Sequence, residues 1–61
     1  MTKQVKQLIT EAQSIVLVNK DEENFYWFDG YISALMDLNL ISSDRANDLI
    51  GEMMDVCQIK A

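Results

Sequence analysis

Four carboxylates, Asp44, Asp48, Glu52 and Asp55, recur at spacings of four, four and three residues. On a helix, at about 100° per residue, their directions fall within about 80° and successive groups climb about 6 Å per four-residue step. Arg45 projects to one side, so no cation interrupts the row. Such a row could imitate nucleic-acid phosphates, dock a basic protein or, if neighbouring elements supplied further ligands, hold a cation. Like charges at i, i+4 oppose helix formation by a few tenths of a kcal/mol per pair, so the row does not serve the fold. The plain reading is a solvated face opposite an apolar one.

The second concentration of chemistry is the run Phe25-Tyr26-Trp27-Phe28. Four consecutive residues of a helix point in four directions, so a single face cannot bury them all. Trp27 and Phe28 fall within the apolar arc of their helix, Phe25 at its edge. Tyr26 falls outside it, beside Asp29, Gly30, Ser33 and Asp37. Gly30 and Ala34, four residues apart, make a small-residue patch next to Tyr26. A mid-helix glycine costs about 1 kcal/mol relative to alanine, and close approach of another backbone would offset that. Tyr26, Gly30 and Ala34 are therefore candidates for self-association or partner binding, with Tyr26 as an aromatic anchor. The competing reading gives the same space to another helix of the same chain.

Enzyme chemistry has no visible home. The chain has no His and one Cys, which removes the usual general base, zinc ligand sets, Cys/His pairs and disulfide frameworks. No glycine-rich phosphate cradle occurs. Cys57 lies on an apolar helical face, where a thiol is ordinarily an inert small hydrophobe. Asp21-Glu22-Glu23-Asn24 offers oxygen ligands but neither the spacing nor the glycine of a calcium loop. No catalytic residues, metal site or cofactor are expected. The stretch from Ala34 to Ile50 has the outline of a helix-turn-helix, but its second helix would turn Asp44 and Asp48 toward DNA with only Arg45 to help. A net charge of -5 points the same way, so direct nucleic-acid binding is not expected.

The elements that position these residues are helices. Val5, Leu8, Ile9, Ala12, Ile15 and Val16 recur at i, i+3, i+4, i+7, which predicts a helix over about 3–18 with Thr2 as its N-cap. Asn19-Lys20-Asp21-Glu22 reads as a capping signature, followed by acidic residues where the helix dipole favours them. The second helix is predicted over about 21–38. On the wheel, Ala34, Trp27, Leu38, Tyr31, Leu35, Phe28, Ile32, Phe25 and Met36 fill an arc of roughly 200°. That width predicts a central helix packed on more than one side. Asn39 is a good left-handed terminator, and Ser42 or Ser43 caps a third helix over about 43–59. That helix would bury Ala46, Leu49, Ile50, Met53, Val56 and Cys57.

The expectation is thus an all-α, small three-helix domain occupying residues 1–61, without repeats. Pro is absent and Gly falls to 2, against a turn-rich β fold, and 49% of residues are hydrophobic. A domain near 60 residues buries only about 60% of its unfolded surface. Leu17, Val18, Leu40 and Met54 are left over from the three faces, and such surplus favours self-association, here a homodimer, or a partner. The longest apolar runs, Ile15-Val16-Leu17-Val18 and the aromatic run, are four residues long, far short of the roughly 20 of a membrane span. No membrane association is expected, and one Cys without a signal-like segment makes a cytoplasmic location the default.

These observations lead to a small acidic, non-catalytic protein–protein interaction module, regulatory or inhibitory, whose partner has a basic surface. One alternative is a phosphate mimic that uses the acidic row to inhibit a nucleic-acid-binding enzyme. Another is a structural subunit of a larger helical assembly.

Overall fold

The structure is a computed structural model and describes residues 4–59. The described residues form three helices: α1 (Val5–Val18), α2 (Glu22–Asp37) and α3 (Ser43–Val56). The all-α, three-helix reading holds, with boundaries moved inward at several ends. Thr2 and Lys3, where the first helix was expected to begin, lie outside the described residues. Within them, Gln4 flanks the start of α1, and its backbone N–H donates to the Gln7 side chain at 3.2 Å.

Side-chain caps start the other two helices. Asp21 caps α2, its carboxylate accepting from the Asn24 backbone N–H at 2.8 Å. Asn19 therefore does not cap α2, as the sequence signature suggested. It closes α1, and its carbonyl accepts from the Asn24 side-chain amide at 2.8 Å. The joint is thereby pinned from both sides, and Glu22 and Glu23 remain in the first turn of α2, as the dipole favours. Ser42 caps α3 by accepting from the Arg45 backbone N–H at 3.1 Å.

Left-handed residues end α2 and α3. Asn39 stands at φ 60°, and the N–H of Leu40 reaches the Leu35 carbonyl at 3.0 Å while that of Asn39 reaches Met36 at 2.9 Å. This is the Schellman arrangement, which satisfies carbonyls the helix cannot. Gln58, at φ 57°, repeats it for α3, with Ile59 donating to Met54 and Gln58 to Asp55. That closure is why α3 ends at Val56 and not near 59.

The core is one cluster: Ile9, Ala12 and Val16 from α1; Phe25, Phe28, Ile32 and Leu35 from α2; Ala46, Leu49 and Met53 from α3. Ile50, Met54, Val56 and Cys57 are partly buried against it. α2 is central in that it packs on both other helices, which meet each other less. The shortest of the Cα extents of 33 × 23 × 14 Å is the thickness of two helix layers, since axes about 8–10 Å apart carry Cα cylinders about 4.6 Å across.

Two core assignments from the sequence need correction. Ile15 was placed on the buried face of the first helix but is 48% exposed. The 200° arc of the second helix is not buried throughout. Its four buried residues, Phe25, Phe28, Ile32 and Leu35, span only about 80°, and α1 and α3 both meet α2 across that sector. Trp27, Ala34 and Leu38 face outward.

Candidate functional site

The outward sector of α2 carries a second apolar row. Trp27, Tyr31, Ala34 and Leu38 follow at i, i+4, i+7, i+11 and lie within about 60° on the wheel, centred about 110° from the core sector. Trp27 is 42% exposed and Leu38 68%. The Trp27 and Tyr31 rings lie 5.2 Å apart at 37°, so the indole is held along the helix by its neighbour one turn on. Tyr26 is 60% exposed, and its ring meets Phe25 edge-on at 5.7 Å. The buried Phe25 thus steadies Tyr26 from below.

Tyr26, Gly30 and Ala34 are all exposed. A Cβ built on Gly30 meets nothing within 4 Å outside its own helix and chain neighbours. Among the described residues no other helix uses this space, which goes against the competing intramolecular reading of the small-residue patch. On its outer edge, Ser33 donates to the Asp29 carboxylate at 3.5 Å. Gly30→Ala should fit without a clash and remove most of the roughly 1 kcal/mol helix penalty of glycine. In a domain this size that raises the melting temperature by about 4–8 °C. A thermal melt followed by circular dichroism reads it directly; a lower melting temperature would mean that Gly30 is needed by the fold itself.

Asp44, Asp48, Glu52 and Asp55 all lie exposed along α3. All four belong to α3, whereas Trp27, Tyr31 and Ala34 belong to α2. Among the described residues no three His, Cys, Asp or Glu side chains gather in a metal-holding group. No cavity opens among these residues either, so both surfaces are faces and not clefts. Among the described residues, no helix is long and apolar enough to cross a membrane.

Residue types make Tyr26, Gly30 and Ala34 candidates, whereas periodicity sets Trp27 and Leu38 in one arc with the core residues. Two flanking helices can cover one sector of such an arc or two, so the exposure of Trp27 and Leu38 follows only from the packing. No family model, no curated protein and no solved structure matches the chain.

Proposed function

We propose that the chain is a non-catalytic protein–protein interaction module that docks another protein on the outer face of α2. The observation that carries this reading is the row of exposed Trp27, Ala34 and Leu38 with half-buried Tyr31 among them, beside exposed Tyr26. Exposing aromatic and aliphatic side chains in line on a helix forgoes burial worth about 25 cal/mol per Å². Aromatic anchors set around small residues are the usual composition of an interface centre. A regulatory or inhibitory role suits such a face, since a bound domain occupies a surface of its partner.

Two kinds of occupant suit the face, a second copy of the chain in a homodimer and a different protein with a basic surface. The exposure of Asp44, Asp48, Glu52 and Asp55 supports a second reading, in which the α3 row imitates phosphates to block a nucleic-acid-binding protein. A cytoplasmic setting fits either.

Tyr26→Ala tests the main reading. Truncating an interface anchor costs about 2 kcal/mol or more, so partner affinity should fall by about 30-fold while the helical circular dichroism is retained. If both the oligomeric state and partner binding stay unchanged in this variant, Tyr26 has no place in the interface.

A further inference from the structure

The charges around the α2 row discriminate between its possible occupants. Between Lys20 and Arg45 the chain carries six carboxylates, Asp21, Glu22, Glu23, Asp29, Asp37 and Asp44, and no cation. Glu23 lies in line with the apolar row, one turn before Trp27. Asp37 lies beside its far end, one turn after Ala34. Glu22 and Asp29 point to the far side of the helix, about 150° and 170° from the centre of the row, and do not border it. The row is thus apolar along its length with a carboxylate beside each end.

A second copy meets those two carboxylates badly. A two-fold dimer places the same surface on both sides of the contact. In an antiparallel pairing centred between Gly30 and Tyr31, Trp27 would meet Ala34 of the second copy. Asp37 of each would then arrive opposite Asn24 and beside Glu23 of the other. In a parallel pairing Glu23 faces Glu23 and Asp37 faces Asp37. Either register brings carboxylates together within the roughly 10 Å over which charges act at 0.1 M salt. Like-charge juxtaposition at an interface is how wrong partners are rejected.

We propose, building on the α2 face as the docking surface, that its occupant is a cationic amphipathic helix of another protein and not a second copy of this chain. The row from Trp27 to Leu38 runs about 16 Å, or three helical turns, the length over which a partner helix presents apolar residues at i, i+3, i+4 and i+7. Gly30 and Ala34 leave room for the partner's backbone to approach, and Trp27, Tyr31 and Leu38 interleave with its apolar face. Lys or Arg residues bordering that face meet Glu23 at one end and Asp37 at the other.

The single tryptophan of the chain lies in the proposed contact and reports on it. The probes are three synthetic helical peptides of about 18 residues with one leucine face and a polar face of Lys, Gln or Glu. Titrated into the full chain at about 0.1 M salt, the Lys peptide should shift Trp27 emission to the blue saturably. It should bind at least about tenfold more tightly than the Glu peptide, with Gln between, since two exposed pairs that attract the Lys peptide repel the Glu peptide. The protein alone should give an emission maximum independent of its own concentration and sediment as a monomer. Equal affinity for the three peptides, no shift with any of them, or a blue shift with the protein's own concentration would each overturn the proposal. Ala34→Lys separates this proposal from the reading beneath it. If that variant abolishes binding of peptides that bind the wild type equally, the docking face stands and its charge selectivity falls. If the Lys peptide binds the variant undiminished, the docking face itself is wrong.

Discussion

Phe28→Ala is expected to remove most of the stability of the domain. Phe28 is fully buried in the middle of α2, the helix on which both others pack. Truncating a core Phe to Ala costs about 3–5 kcal/mol, part lost transfer free energy and part cavity. A chain of this length holds about 3–9 kcal/mol in total, at 0.05–0.15 kcal/mol per residue. The variant should therefore melt at least about 15 °C below the wild type, or show no cooperative transition. Phe28→Leu keeps most of the volume and should cost less than about 2 kcal/mol. A melting temperature for Phe28→Ala within about 5 °C of the wild type would mean that the three helices do not share the core described.

Ala34→Lys should have the opposite profile, with stability kept and function lost. Ala34 is exposed, and Lys is nearly as good a helix former as Ala. The new ammonium would also lie one turn from Asp37, an attractive spacing. The melting temperature should stay within about 3 °C, equivalent to a few tenths of a kcal/mol. In the docked state the same substitution forces a charge into the middle of an apolar row, against a partner with nothing there to pair it. Burying an unpaired charge costs about 3–5 kcal/mol, and snorkelling of the long side chain recovers part of that. The expected loss of affinity is about a hundredfold, read by calorimetric titration against the partner or the Lys-faced peptide. An unchanged affinity would take Ala34 out of the contact.

The contrast between these two positions shows what the sequence carried. Phe28 and Ala34 both lie in the wide apolar arc of the second helix, and periodicity treats them alike. Which of them is covered depends on where α1 and α3 cross α2, and crossing geometry is a property of three helices together. Ile15 was misplaced for the same reason, since it lies at the margin of its stripe and the crossing leaves that margin open. The start of α3 was legible, because Ser42 acts through a local hydrogen bond to Arg45, whereas the polar run before α2 offered two acceptors and it is Asp21, not Asn19, that reaches Asn24. Asn39 was legible as a terminator because asparagine tolerates φ > 0. Gln58 was not, since glutamine has no such preference and adopts φ 57° where the Schellman bonds hold it. At the candidate site, residue types revealed Tyr26, Gly30 and Ala34, while the exposure of Trp27 and Leu38 needed the packing.

The central claim is that the outer face of α2 binds a protein, and side-by-side capture tests it most directly. Wild type, Ala34→Lys and the α3 double variant Asp48→Lys with Glu52→Lys would each be tagged and exposed to lysate of the cells that make the chain. Washes at about 0.1 M and 1 M salt separate screened charge contacts from apolar ones, and mass spectrometry identifies what stays. The expected result is a protein held by the wild type and by the α3 double variant but released by Ala34→Lys at either salt. A protein held by Ala34→Lys and lost by the α3 double variant would contradict it and give the function to the acidic row.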